Sequence, residues 1–417
     1  MLVFVINKNN EPLMPCKPSV ARKLIKQGKA KIFKHTPFTI QLLYGSSGYK
    51  QEITLGIDAG SKNVGLSATT AKDELFVAEA RLRTDIPKLL SERSGLRHLR
   101  RSRTTRYRQH RTNNNYGKGW LPPTPRQKIA SHLKLVNEVK KILPVTKCII
   151  EGAQFDIQKL EDPMISGDQY QYGELYGYKN RIAYLLARED YTCQYCGKKD
   201  SGINNGWRLH HIWGKEHDRP KDWALLHESC HKGPEGIHKK HDEAKLQEKE
   251  PKSYKDAAFM NIMRMFVFKE LKKLHPNTKM TYGYITKIDR NKAGLKKSHI
   301  NDAYTIAGNM TAKQNDTAYI MQFVRKNNRS LHKLTVHKGG CRELSKQERV
   351  LRGFRLYDKV LYDNEEYFIF GRREKGAFVI ENLSGTRKTE RAPSKLKLLE
   401  MQKTLLVEKV DRAFLTA

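Results

Sequence analysis

The chain has 417 residues, enough for about two to four domains, and carries 79 Lys plus Arg against 44 Asp plus Glu, a formal net charge of +35. An enzyme of small metabolites has no use for that excess; nucleic acid is the natural partner. No run of about 18 apolar residues offers a membrane span and the start at Met1 lacks a secretory pattern, so a cytoplasmic protein with no membrane partner is expected.

Residues 1–50 read as a small β-rich module. A strand at Val3–Ile6 leads to a turn carrying Pro12, Leu13, Met14 and Pro15. A short basic helix at Ser19–Gln27 follows, then strands at Ala30–Phe33 and Phe38–Leu43. Lys17, Arg22, Lys23, Lys26 and Lys29 on or near that helix suit either a solvated face or phosphate contact. Next comes the stretch that organises the chain. Ile53, Leu55 and Ile57 alternate as in a buried strand, Asp58 stands at its end, and a Gly60 turn enters a second strand from Val64. Ala68–Ala80 completes a meander. A lone strand-end Asp is commonly a turn former, so its meaning depends on the carboxylates it can meet from later strands and helices.

Residues 81–115 are the most biased in composition, with Arg93, Arg97, Arg100, Arg101, Arg103, Arg106, Arg108 and Arg111. Spacings of three and four place the first four on one helical stripe. Guanidiniums at this density repel one another unless a polyanion lies along them, and Arg suits bidentate phosphate contact. A disordered basic arm is the other reading; both contact nucleic acid. A polar linker, Asn113–Pro125, precedes an amphipathic helix at Arg126–Leu143. Lys147–Glu151 then repeats the strand with a terminal carboxylate. Tyr170, Tyr172, Tyr176 and Tyr178 come before a helix at Lys179–Arg188. Beyond a basic connector, Lys239–Lys255, a helix is expected at Asp256–Leu274, a strand at Lys279–Thr286 and another helix from His299. From about 318 the chain turns strand-rich, with Gly353–Leu361, Glu366–Arg372 and Gly376–Leu383 read as a small antiparallel barrel.

Two constellations carry chemistry. In the first, Asp58, Glu151 and Asp302 converge, with His299 one helical turn before Asp302 on the same face. Such a set can hold two Mg²⁺ ions around a phosphodiester while His299 takes or relays a proton. In the second, Cys193-x-x-Cys196 pairs with His227-x-x-Cys230 across about thirty residues, the spacing of a structural zinc site. Between and after these knuckles lie His210, His211, Asp222, His231 and His238. They suit a one-metal site in which His211 is the general base and His210, Asp222 and His231 or His238 are candidate ligands. The adjacent His pair is equally readable as zinc-associated or merely polar.

Cys193–His238 resembles an HNH endonuclease module of the CxxC type. By that resemblance His211 is the general base and His210 a Mg²⁺ ligand, with Asp222 in the place of the usual Asn. Asp58, Glu151, His299 and Asp302 resemble the three split motifs of a RuvC-like site. An Arg-rich bridge helix between the first two motifs, an HNH module between the second and third, and the Pro12–Pro15 turn together resemble the IscB family of transposon-encoded nucleases. The resemblance implies an α/β chain, an RNase H-like mixed sheet split by a zinc-knuckle ββα module and ended by a barrel-like antiparallel domain. Its divisions are 1–50 amino-terminal module, 51–80, 116–178 and 256–317 RuvC-like parts, 81–115 bridge helix, 179–255 HNH module and 318–417 carboxy-terminal domain reading a short duplex motif. It also implies a monomer, in a bacterial or archaeal cytoplasm, that binds a structured guide RNA (ωRNA type) and a double-stranded DNA target. HNH cuts the guide-paired strand and the RuvC-like site the displaced one. Two other readings compete: a protein-only nuclease of homing or junction-resolving type, and a non-catalytic nucleic-acid-binding regulator.

Overall fold

The computed structural model describes residues 2–102, 121–152, 172, 174–199, 206–215, 217–247, 255–325, 334–336, 342–344, 348, 350–373 and 376–416. Arg103, Arg106, Arg108, Arg111 and Tyr170 lie outside them, as does the side chain of Arg100. The chain divides into two compact units, one of Met1–Gln154 with Phe259–Ala417 and one of Phe155–Ala258.

The larger unit begins with β1 (Phe4–Ile6), β2 (Ala30–Lys34) and β3 (Thr39–Leu42), in the order β1-β3-β2. Leu13 enters the core of this module while Met14 packs against the central core, so the Pro-bounded turn ties the two together. The helix Pro18–Lys26 buries Ala21 alone and leaves Arg22, Lys23 and Lys26 exposed. The meander follows as β4 (Thr54–Ala59), β5 (Asn63–Thr69) and β6 (Glu74–Arg81), all antiparallel neighbours. A helix at Ile86–Ser102 displays Arg93, Arg97 and Arg101 to solvent. After the helix Pro123–Lys140, β7 (Lys147–Gly152) lies parallel beside β4.

The smaller unit holds the helix Arg181–Arg188, the antiparallel pair β8 (Trp207–His211) and β9 (Trp223–His227), and the short helix Glu228–Lys232. The chain returns through a helix at Lys255–Leu274, whose Met263, Val267 and Leu271 enter the central core, to β10 (Thr278–Tyr282), parallel to β7. The strand expected to run to Thr286 stops at Tyr282 and becomes the helix Gly283–Lys292. Thr286 and Arg290, one helical turn apart, are its buried residues. Ser298 caps the helix His299–Ala307 by accepting from Asn301 N–H.

β11 (Thr317–Phe323) then pairs parallel with β6. After β12 (Leu334–Val336) and β13 (Arg342–Leu344), an antiparallel sheet forms from β14 (Lys359–Tyr362), β15 (Glu365–Arg372), β16 (Phe378–Glu381), β17 (Lys388–Arg391) and β18 (Lys397–Glu400). Its order is β17-β16-β15-β14-β18, an open sheet among the described residues where a barrel was expected. β19 (Leu405–Asp411) rejoins the central sheet against β11. The boundary drawn at 318 therefore cuts through that sheet: β11 and β19 belong to it, and only the strands between them form a separate layer.

The central sheet has the order β10-β7-β4-β5-β6-β11-β19. Its helix His299–Ala307 lies directly on β4 and β5 because two glycines let it. A methyl at Gly56 would meet the carbonyl of Ala303, and one at Gly65 the carbonyl of His299. No helix among the described residues is long and apolar enough to cross a membrane.

Candidate active sites

In the smaller unit, β8 carries His210 and His211 as neighbours, and alternation sends them to opposite faces. His210 is buried and meets His231, from the helix after β9, and His238; one ligand atom from each lies within 4.8 Å of the others. His210 Nε2 and His231 Nδ1 are buried without a hydrogen-bond partner. Burial, then the neighbouring rings of His238 and His231, push the His210 pKa down to about 4; burial and His238 lower that of His231 as well. Neutral imidazoles with converging lone pairs are what a cation needs. His238 Nε2 stands 3.2 Å from His231 Nε2 while its Nδ1 lies 3.2 Å from Glu243 Oε1. An Nδ1–H donated to that carboxylate frees Nε2 as the ligand atom.

Asp222, expected among the ligands, lies outside this set, and His238 takes the third place. Asp222 is buried in a 3-10 turn before β9, and its carbonyl accepts from Ile212 N–H, closing the β8–β9 loop.

His211 turns to the other face, where its Nε2 is 3.1 Å from Asp218 Oδ1. The same oxygen accepts from Arg181 Nη1 at 2.8 Å and Trp223 Nε1 at 2.9 Å. Burial raises the Asp218 pKa, but the bonds from His211, Arg181 and Trp223 outweigh it and hold the carboxyl below its usual range. An ionised Asp218 holds His211 as the Nε2–H tautomer and leaves Nδ1 free as a base. Asp218 escaped the sequence reading; the legible signal is a carboxylate in the loop after the His pair.

Cys193, Cys196, His227 and Cys230 gather as a second set of donors within 4.8 Å. His227 Nδ1 lies 3.5 Å from Cys196 Sγ and 3.9 Å from Cys230 Sγ, and the His227 ring packs on Trp207. Burial, then the neighbouring Cys193, push the Cys230 thiol up to about 12. Three crowded sulfurs cannot all ionise without a cation among them, and three thiolates with one imidazole form the donor chemistry of a closed structural metal site.

The larger unit brings Asp58, Glu151, His299 and Asp302 to one end of the central sheet. Asp58 and Glu151 are the penultimate residues of β4 and of the parallel β7; His299 and Asp302 stand in the first turn of the helix laid on β4 and β5. Each carboxylate has a basic neighbour. His299 Nδ1 is 2.6 Å from Asp58 Oδ2, Arg264 Nη2 is 3.2 Å from Glu151 Oε1, and Arg290 Nη1 is 2.5 Å from Asp302 Oδ1. Burial and then Asp58 raise the pKa of Glu151; burial raises that of Asp302, with Asp58 adding to it. The hydrogen bond to Asp58 raises that of His299. Mutual repulsion of one buried and two half-buried carboxylates is the electrostatic mark of a cation site. Arg264 and Arg290 escaped the sequence reading. Arg264 also donates from Nε to Ala59 O, and Lys128 donates to Ser61 O, so two cations grip the loop after Asp58.

Residues 3–173 match the family described as RRXRR protein and residues 193–235 the family described as HNH endonuclease. No curated protein matches the chain. Among solved structures, Streptococcus thermophilus Cas9 in complex with the AGAA PAM is 15% identical, with a TM-score of 0.32 over 46% of this chain and 26% of that one. The same organism's Cas9 with the GGAA PAM is 10% identical, with a TM-score of 0.35 over 72% of this chain and 56% of that one. The Type II-C Cas9 of Actinomyces naeslundii is also 10% identical, with a TM-score of 0.25 over 63% and 60%. The chain thus spans about a quarter of the first of these proteins. It carries an RRXRR segment ahead of an HNH endonuclease module.

Proposed function

We propose that this chain is an IscB-type DNA endonuclease guided by a structured RNA, with an HNH site that cuts the guide-paired strand and a RuvC-like site that cuts the displaced strand. One observation carries the reading. The first five strands of the central sheet, β4, β5, β6, β7 and β10, stand in the order β6-β5-β4-β7-β10. This is an antiparallel meander extended by two parallel strands, the RNase H-like arrangement, with Asp58 and Glu151 at adjacent strand ends. The RRXRR match runs through the first two of these carboxylates, and the HNH match lies between the second and the third.

At the HNH site, His211 takes the proton of the attacking water through Nδ1, and Asp218 holds the ring for that transfer. His210, His231 and His238 would hold a divalent ion, Mg²⁺ in this reading, which supplies stabilisation of the charge on the phosphodiester oxygens. Cys193, Cys196, His227 and Cys230 would hold Zn²⁺ and tie the knuckles of a unit with a small core. At the other site Asp58, Glu151 and Asp302 would hold Mg²⁺ while His299 moves the proton. The exposed arginines at 93, 97 and 101 lie against RNA phosphates.

The test is to express the chain with its native flanking DNA, sequence the RNA that co-purifies, and cut a DNA matched to it. One defined stoichiometric RNA and cleavage directed by its guide segment are expected. Glu151→Gln should leave a nick in the guide-paired strand and His211→Ala a nick in the other. Cleavage that survives RNase treatment at a fixed sequence would overturn guidance in favour of a protein-only nuclease. Loss of both cuts in each variant would overturn the division of labour.

A further inference from the structure

At the outer edge of the central sheet, Thr281 of β10 stands opposite Glu151 of β7, and Tyr282 opposite Gly152. The chain then turns into the helix Gly283–Lys292 directly over that carboxylate. A methyl at Gly283 would lie 3.2 Å from Glu151 Oε1, and the Thr286 hydroxyl donates to Tyr282 O at 3.4 Å. On either side of Gly283 stand Tyr282 and Tyr284, 47% and 66% exposed. Their rings are 6.0 Å apart and 14° from parallel. The gap between them is too narrow for a base to enter, so the outer ring faces are what the pair offers. Lys279, Lys287 and Lys292 are exposed on the same strand and helix.

We propose that Tyr282 and Tyr284 form a stacking platform for an unpaired base of the DNA strand delivered to the Asp58–Glu151–Asp302 cluster. The proposal rests on that cluster being a phosphodiester-cutting site. An isolated exposed tyrosine needs no explanation. Two cofacial tyrosines flanking a glycine that a side chain would bring against a candidate metal-binding carboxylate, with lysines around them, have the composition of a single-strand groove. Aromatic faces take bases of any sequence and the ammonium groups follow the backbone. A duplex cannot use such a platform, because its base faces are already stacked on one another. The occupant is therefore single-stranded DNA, threaded past Glu151 with one base resting on Tyr284.

The experiment uses the full chain with its co-purifying RNA and a DNA strand substituted with 5-iododeoxyuridine near the cleavage position. Irradiation in a Glu151→Gln background should cross-link the strand to Tyr282 or Tyr284. In the otherwise unchanged chain, Tyr284→Leu should weaken binding of the strand by roughly 5- to 150-fold, the cost of one lost stacking contact. Tyr284→Phe, which keeps the ring, should bind like the parent. Cross-links mapping outside residues 282–288, cross-linking of iodouridine-substituted RNA in place of DNA, or equal behaviour of the Leu and Phe variants would each overturn the platform. The reading beneath it fails separately: cleavage of this strand that persists in Glu151→Gln removes the cutting site itself.

Discussion

Gly56 tests how the fold positions the Asp58–Glu151–Asp302 cluster, because it lies under the helix that carries His299 and Asp302. A methyl at Gly56 would stand 2.6 Å from Ala307 N, where ordinary contact begins at 3.4 Å, and it would also press on the carbonyl of Ala303. Both obstacles are backbone, so no rotamer relieves them. The helix must retreat by about 1 Å, because packed interiors do not compress. Its amino-terminal turn carries the 2.6 Å contact between His299 and Asp58 and the 2.5 Å contact between Arg290 and Asp302. A retreat of that size opens both. Gly56→Ala is therefore expected to cost about 1–3 kcal/mol of stability and to slow the RuvC-like cut by roughly a hundredfold, the usual penalty for misplacing catalytic groups by 1 Å. The assay is strand-resolved cleavage of a doubly labelled duplex beside a thermal melt. The HNH site, in the other unit, serves as the internal reference: its nick should keep the parental rate. A variant that cuts both strands and melts like the parent refutes the argument that this close approach sets the site.

Three further outcomes are expected from the geometry. His238→Ala should abolish the HNH cut, and Glu243→Gln should weaken divalent-ion affinity at that site by roughly 10–100-fold, read by metal titration of cleavage; if Asp222→Ala weakens it more than His238→Ala does, the three-histidine assignment is wrong. Asp218→Asn should slow the same cut about tenfold or more while ¹⁵N shifts of His211 report loss of the Nε2–H tautomer; an unchanged rate and tautomer would show that Asp218 does not orient the ring. His132 is fully buried near Asp58, and burial depresses its pKa from 6.5 to about 4. Its folded pKa lies below the unfolded one, so this contribution is fully present above pH 6.5 and is lost as pH falls toward 4, about 3 kcal/mol at most; His132→Gln should flatten the melting temperature over that window.

Much of the site was legible because its residues announce themselves by position in regular patterns. Asp58 and Glu151 end runs of alternating apolar residues, and the structure sets those runs side by side in parallel register, Leu55 against Cys148 and Ile57 against Ile150. His299 and Asp302 share a helical face, and a Ser cap marks the start of that helix. The cysteine knuckles form a periodic signal that no core packing demands. By contrast, Asp222 was assigned from its place between knuckles, where spacing cannot tell a ligand from a residue whose carbonyl closes a loop. The structure gathers His238, the other ligand the sequence offered, with His210 and His231, because the turn after the Glu228–Lys232 helix folds that ring back onto His231.

What stayed hidden was long-range pairing. β11 and β19 read as part of a separate strand-rich region, since local alternation says that a strand exists but not which sheet receives it. Arg264 and Arg290 looked like two more cations in a chain with 79 basic residues; only their burial, 7% and 8% exposed, singles them out. Their partners explain why they are retained there. An isolated guanidinium in such a setting is strongly unfavourable, so each must face a carboxylate, and the carboxylates available are Glu151 and Asp302. The same pairings keep negative charge tolerable in a half-buried cluster before any metal arrives. Net basicity thus has two separate sources. Surface arginines of the Ile86–Ser102 helix are exposed to meet the proposed RNA, and buried arginines pair with the carboxylates of the acidic cluster.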